Sequence, residues 1–530
     1  NESYDGCAVT TLGTDTSTPA TIIIKGGAKI SATNTNAIYL PAGTLSVEGG
    51  EITGTTGIYF KSTNMTISGG TITGNGEQRS YQEYHNGGIS TGEAVTIDSC
   101  NYPGGIGSVS IRGGEFSSTH ANAIGSYNSN SGSLQTNFVT GGTFSSDPSA
   151  YVAEGYVAMK NDNGTWTVIA PTAIENGVTI KGIAGYERYA FSTISEAYGE
   201  ISPKVAALGG LGEGTCSADA FNAFYTDNGK ITWTIYGKQT LVGKGAKDSQ
   251  NNDIVVDNNS LTFGRAASYY GDCSLTKIEV KAGNESAALD LSATNGTFAF
   301  PYNWWGEGIK NCELSFTGIT FDGIKSIPGT WATPEQETPY TFDHCTFNGN
   351  IYGYHDYNIN LTIKNSTFNA PDSTQYAIML QSTTGISGKV TLDNNTFNDY
   401  TRGVNFQRPG TIFHFTNNTI TSTEVEPDRG VIQLTDGKQF VVTGNTVDVN
   451  EGNAFWFHNA ATNSDVTYTI SDNNIKAAYI GYSGVTTFDV NDKIISSDNN
   501  DFNNTDTTKC MKKGATVAEA TNLTAIKSIK

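Results

Sequence analysis

The sequence predicts an all-β chain built as two tandem right-handed parallel β-helices with small caps, and three observations carry that prediction. A short pattern returns seven times between Leu314 and Ile475, as LSFTGITF, YTFDHCTF, LTIKNSTF, VTLDNNTF, FHFTNNTI, FVVTGNTV and YTISDNNI. In every copy a second apolar residue stands five positions after the first. Phe316, Phe342, Ile363, Leu392, Phe415, Val442 and Ile470 form the first column; Phe321, Phe347, Phe368, Phe397, Ile420, Val447 and Ile475 form the second. Members of the second column lie 21 to 29 residues apart, the period of a solenoid with loops of variable length.

Each copy reads as strand, tight corner, strand. Asn365, Asn394, Asn417, Gly444 and Asp472 hold the corner, and these residue types accept the left-handed backbone of a sharp bend. Thr320, Thr346, Thr367, Thr396, Thr419 and Thr446 supply a ladder beside it. Stacked at ~4.8 Å, the apolar columns become a continuous core. The rungs are too long for the short-period left-handed solenoid, which leaves the right-handed one.

The same grammar opens the chain with glycine in the corner: IIIKGGAKI, LSVEGGEI, MTISGGTI, VSIRGGEF and NFVTGGTF. The 44 residues between Gly69 and Gly113 suggest two rungs, with an irregular one around Ala94 to Asp98. A further strand between corners places Ile38, Leu40, Ile58, Phe60, Ile89, Thr91 and Ile124 inward and turns Tyr39 and Tyr59 outward. The pattern stops after Phe144. Tyr151–Ala158 and Thr165–Ile169 then read as a hairpin about an Asn-Asp-Asn-Gly turn, a cover for the solenoid's open end. Thr193 and Glu196 form a capping box. Ile194, Ala197, Tyr198 and Ile201 give the helix that follows a single apolar face. We therefore divide the chain into residues 1–172, a first β-helix with a hairpin cap, and 173–530, a second with a helical cap at its start.

Composition bounds the function. The chain has 530 residues, net charge −20, 37% hydrophobic residues and 61 glycines, yet 26 Tyr and 24 Phe argue for a packed fold. Nothing basic is clustered, so nucleic acid is not an expected partner. No stretch is long enough for a transmembrane helix, so membrane insertion is not expected either. Seven scattered cysteines include no CxxC pair and no dense disulfide framework. The chain opens at Asn1 without a signal segment, as a trimmed part of something longer would. The acidic, Asn/Thr-rich solenoid is expected outside the cell or at its surface.

The repeats, their Asn and Gly corners and the rung lengths resemble the right-handed parallel β-helix proteins of the pectate-lyase-like superfamily. The segment GGTFSSDPSAYVAEGYVA with its NGTWTV ending resembles modular surface proteins of gut bacteria. These resemblances imply an extracellular, carbohydrate-related setting. The fold hosts lyases, hydrolases, tailspikes and adhesins alike, so it does not fix an activity. The paired Asp-Asp and His-Gly motifs of a polygalacturonase are not found.

Two sets of residues are candidate sites. In the second solenoid a strand recurs as IYGYH, IMLQ, VNFQ, IQLT, FWFH and IGYS. Alternation places Tyr352 inward with Ile378, Val404, Ile432, Phe455 and Ile480. It turns Asn405, Gln433 and Trp456 outward, beside His355, Gln381, Gln407 and His458. That face has no carboxylate, lysine or arginine. Its amides, imidazoles and indole suit a polysaccharide or host glycan, by hydrogen bonding to hydroxyls and stacking on sugar rings; the bland alternative is an inert sheet face. Trp304 and Trp305 are read either as a further ligand platform or as a lid over the core.

The second set is Asp343, Lys364 and Asp393, in one column. The two carboxylates stand roughly 9.5 Å apart at ordinary strand spacing, at the upper limit for an inverting glycosidase, and Lys364 suits a lyase base. The competing reading is an alternating charge ladder. Asp399 and Arg402 read as solvated loop charges. Asn/Asp-rich corners can bind calcium, but no EF-hand or RTX spacing occurs, so no cofactor is expected. The function expected is non-catalytic, adhesin-like binding of glycans or host surfaces. The alternatives are a polysaccharide lyase or glycosidase and a ligand-free structural stalk.

Overall fold

A computed structural model describes residues 6–11, 20–78, 90–99, 104–128, 133–208, 217–241, 275–294, 312–325, 339–354, 359–371, 376–382, 387–423, 425, 430–449, 452–457, 465–477, 479–483, 490–502 and 506–512. The chain is a right-handed parallel β-helix protein and separates into two compact units. One comprises residues 1–175 and 185–192, the other 176–184 and 193–530.

In the first unit the strands Ile38–Leu40, Ile58–Phe60, Val95–Asp98 and Ile124–Tyr127 stack in parallel on one side. Thr21–Ile24, Thr44–Val47 and Thr63–Ile67 stack on a second side, Lys29–Ser31, Glu51–Gly54 and Thr71–Glu77 on a third. Gly27, Gly50, Gly70, Gly114 and Gly142 turn the corners with φ between 83° and 110°, values that a Cβ penalises. The core is a run of aliphatic side chains that ends in stacked Phe116 and Phe144, 4.8 Å apart.

Two expectations need correction in this unit. Ile106–His120 pairs directly with Thr63–Ile67 and Thr71–Glu77, so the long gap holds one rung with insertions and not two. Val95 and Ile97, in register with Ile58 and Phe60, hold the inward places on this rung instead of Thr91; Ile89 lies outside the described residues. Tyr39 and Tyr59 are buried, edge to face at 5.6 Å. After Phe144 the hairpin Val157–Lys160 and Trp166–Ile169 pairs antiparallel with Val139–Phe144. An antiparallel strand cannot continue a parallel stack, so it ends one.

The second unit contains the helix Ile194–Ala207, where the Thr193 hydroxyl accepts from the Glu196 amide at 3.0 Å. Ile194, Ala197, Tyr198 and Ile201 are buried as their spacing requires. Gln239 Oε1 accepts from the Ile194 amide and ties the helix to the first rung. A short helix not expected from the sequence, Ala218–Phe224, is capped by Ser217.

Three stacks of parallel strands follow. One runs from Lys277–Ala282 through Ile359–Lys364 and Gly388–Asp393 to Thr467–Ser471 and Ile494–Ser496. A second has ten strands, from Lys238–Thr240 to Asp501–Phe502. The third has seven, from Ile351–Tyr354 to Asp506–Lys512. The left-handed corner falls on Asn365, Asn394, Asn417, Gly444, Asp472 and Asn499, with φ from 52° to 70°. Behind it Phe321, Phe347, Phe368 and Phe397 stack ring on ring, with centroids 4.5–5.2 Å apart.

The residue after each corner points inward. Asn395, Asn418, Asn445, Asn473 and Asn500 are all buried. Each side-chain amide from Asn395 to Asn473 donates to the next side-chain oxygen, and that oxygen also accepts the donor's backbone N–H. The same amide groups bond strand carbonyls, Asn418 to Leu392 O at 2.9 Å for example. Ser366 extends the ladder: its hydroxyl accepts from the Cys345 amide and donates to Lys364 O. The polar groups that a sharp interior bend would strand without partners are thereby satisfied.

Candidate functional site

The seven-stranded sheet sets the candidate binding face. Its register aligns Tyr352, Met379, Asn405, Gln433, Trp456 and Tyr482 in one column, and Tyr354, Gln381 and Gln407 in another. The inward column is Ile351, Ile378, Val404, Ile432 and Phe455. The expected inward place of Tyr352 is therefore wrong by one residue. Ile351 takes the core position and Gly353 lies opposite Leu380, which leaves Tyr352 on the outer side, 39% exposed.

The middle of the column is not open. Asn405, Gln433 and Trp456, expected on the solvent face, are buried at 3%, 0% and 6% exposure. Alternation decides which side of a sheet a side chain leaves by, and not what lies over it. Ala377 is an extra residue between two register pairs, and next to it Tyr376 reaches across two strands. Its hydroxyl donates to Gln433 Oε1 at 3.3 Å, while Gln433 Nε2 donates to Arg402 O. Thr435 donates to Asn405 Oδ1 at 2.6 Å. Amides read as ligand contacts are engaged by the protein itself.

What stays accessible lies at the first rungs. Gln381 Nε2 donates to Gln407 Oε1 at 2.9 Å, and both side chains are half-buried, as is Met379. Arg402, read as a solvated charge, sits over the Tyr376 ring at 5.5 Å, a cation–π distance. Burial raises the Tyr352 hydroxyl pKa, Tyr376 raises it further and Arg402 pulls it back, which puts the three groups within electrostatic reach. Sequence reasoning missed Tyr352, Tyr376 and Arg402. The glycine in IYGYH misled, because keeping it out of the core turned Tyr352 inward, whereas Gly353 takes the core-side place opposite Leu380. His355, His458, Trp304 and Trp305 lie outside the described residues.

Asp343, Lys364 and Asp393 are brought together in consecutive register. Lys364 Nζ lies 3.2 Å from Asp343 Oδ2, and Asn365 Nδ2 and His344 Nδ1 lie 2.8 and 2.7 Å from Asp343 Oδ1. Burial alone would raise the Asp343 carboxyl, but the bonds from Asn365 and Lys364 outweigh it and hold the pKa below the ordinary carboxylate value. Asp393 Oδ1 accepts from Thr416 and Asn417 at 2.6 and 2.9 Å. These are bonds that run from rung to rung, and at Asp343 they favour the ionised carboxylate.

Among the described residues no helix is long and apolar enough to cross a membrane. Residues 319–523 match a family described as "Periplasmic copper-binding protein (NosD)", over less than half of the chain. No curated protein and no solved structure matches. The match corrects the expectation of no cofactor, since copper is in that family's description. Local calcium and zinc spacings do not test for such a site: in a solenoid, any donors would come from rungs some 20–30 residues apart and leave no local motif.

The described residues do not themselves assemble a copper donor set: no three His, Cys, Asp or Glu side chains among them converge. His344 is turned to solvent beside Asp343. Cys345 is buried, contacts Phe316 O and Asp343 O, and has its thiol pushed up to about 12 by that burial. His414 is half-buried, with its pKa lowered by burial and by Lys389.

Proposed function

We propose that this chain is a non-catalytic β-helix protein of the cell envelope or exterior that binds a glycan on the open first rungs of its seven-stranded sheet. The envelope setting rests on the likeness of residues 319–523 to a family described as periplasmic. Binding rests above all on Tyr352, a 39% exposed tyrosine on a rigid strand, aligned beside the hydrogen-bonded Gln381–Gln407 pair. An exposed ring next to amides offers a sugar both a stacking plane and directional partners. Arg402 adds a cation where an acidic sugar would place its carboxylate. The Asp343, Lys364 and Asp393 column supports the binding reading over the lyase or glycosidase one, because its carboxylates are committed to neighbouring rungs.

A glycan array followed by titration of the best polysaccharide tests this. Tyr352→Ala is expected to weaken binding at least about tenfold, the worth of one stacking contact. Asp343→Asn should leave affinity unchanged, and no reducing ends or unsaturated products should accumulate. Absence of any glycan ligand, or affinity indifferent to Tyr352, overturns the reading.

A further inference from the structure

The outer side of the first unit's sheet carries ionisable groups that take no part in the glycan face. Lys61 follows Phe60, which pairs with Ile97, so Lys61 stands opposite Asp98 on the neighbouring rung. Its Nζ lies 3.4 Å from Asp98 Oδ2, and both side chains are 0% exposed. Tyr59 Oη donates to the same Oδ2 at 3.1 Å. Beyond Asp98, in register with it, stands Tyr127, whose hydroxyl donates to Glu93. Thr96, on Asp98's side of the strand, donates to the other Glu93 oxygen at 3.1 Å. Glu93 is itself fully buried and packs onto Gly125, where a Cβ would come within 2.7 Å of its carboxylate.

A dry Lys–Asp contact carries a desolvation penalty at each ion. A covalent amide removes both charges. We infer that Lys61 and Asp98 are a site of self-modification, joined by an isopeptide bond that staples two adjacent rungs. The step balances without any co-reactant. One Nζ proton passes to the Asp98 carboxylate, the Nζ lone pair attacks Cγ, a further Nζ proton goes to the departing oxygen, and water leaves. Tyr59 donates to Oδ2 as charge builds on it in the tetrahedral intermediate, the role of an oxyanion donor. Glu93, whose pKa burial raises against the donated bonds of Thr91, Tyr127 and Thr96, is linked to Asp98's strand through Thr96. Holding amine and carboxyl in contact supplies effective molarities of about 10⁵ M or more, enough to drive a condensation that free amine and acid do not undergo in water.

Intact-mass spectrometry of the purified full chain tests the bond, with fragmentation of a protease digest to place it. The expected mass is lower than the sequence mass by one water, with a branched peptide joining Lys61 to Asp98. Lys61→Ala and Asp98→Ala should each restore the full mass, and Tyr59→Phe should lower the cross-linked fraction several-fold. A wild-type chain at full sequence mass overturns the proposal whether or not the variants fold. So does a water loss that fragmentation places elsewhere.

Discussion

Replacing Asn418 by alanine should strike the second solenoid hardest for its size. Asn418 is buried and works in three directions. Its Oδ1 accepts from the Asn395 backbone and side-chain nitrogens at 2.9 and 3.1 Å, and its Nδ2 donates to Leu392 O and Asn445 Oδ1 at 2.9 and 3.2 Å. Asn395 Nδ2 keeps Ile363 O, and Asn445 Oδ1 keeps the Asn418 amide. Alanine therefore strands the Asn395 backbone N–H in the interior and removes one donor from Leu392 O. At about 1–3 kcal/mol for the unsatisfied group, plus a small cavity, the loss is about 2–4 kcal/mol. Ser366 occupies the equivalent position two rungs earlier and satisfies the Cys345 amide with its hydroxyl, so Asn418→Ser should recover more than half of the loss. Asn418→Asp should not, because a carboxylate cannot donate to Leu392 O. Rungs contact only their neighbours, so the readout should be local as well as global: hydrogen exchange at the Asn395 amide beside the urea midpoint. An Asn395 amide equally protected in Asn418→Ala, or a loss below about 1 kcal/mol, would refute the view that the ladder holds the interior bend.

Two further outcomes follow from burial. Trp456→Ala, in a side chain 6% exposed, should cost about 3–5 kcal/mol, as for other buried aromatics; an unchanged unfolding midpoint would return Trp456 to the surface. Asp436 is buried, and its Oδ1 has no hydrogen-bond partner among the described residues. Burial raises its pKa from 3.8 to about 6 against one bond from the Gly437 amide. The fold therefore binds this proton more tightly than the unfolded chain does, and the stability it contributes is complete below about pH 4 and lost as pH rises through about 6. Two units at ~1.4 kcal/mol each give about 3 kcal/mol. Asp436→Asn should thus stabilise the protein by up to that amount at about pH 8 and leave it unchanged near pH 4, as urea midpoints at both would show.

The solenoid was legible because its geometry forces a sequence rule. A corner closed by one left-handed residue fixes the distance between flanking core positions, so Phe342 to Phe347 and Leu392 to Phe397 repeat the same offset whatever the loops do. Loops obey no such rule. The rung count between Gly69 and Gly113 was misjudged because an insertion and a whole rung have similar lengths. The asparagine ladder was visible but unread. In DNN, TNN, TGN and SDN the first corner residue varies among types that tolerate positive φ, while the second is asparagine throughout. Tolerance of a bend explains the first position. Only a side chain that must both accept and donate along a stack explains the second.

The site was less legible, for a reason that concerns the face more than any residue. In a parallel stack the sequence determines columns, and it determined that Gln433 and Trp456 share one. Accessibility depends on groups from other rungs, such as Tyr376 reaching two strands to Gln433 and Arg402 lying over Tyr376. The same dependence bears on the charged column. Asp343 and Asp393 at this spacing could serve an inverting hydrolase only if one were kept protonated at neutral pH. That requires burial to exceed the bonds made to the ionised form. At Asp343 the balance runs the other way: Asn365 and Lys364 overcome burial and favour the carboxylate. Spacing alone made the column resemble a catalytic pair, whereas the donors from adjacent rungs favour the ladder reading.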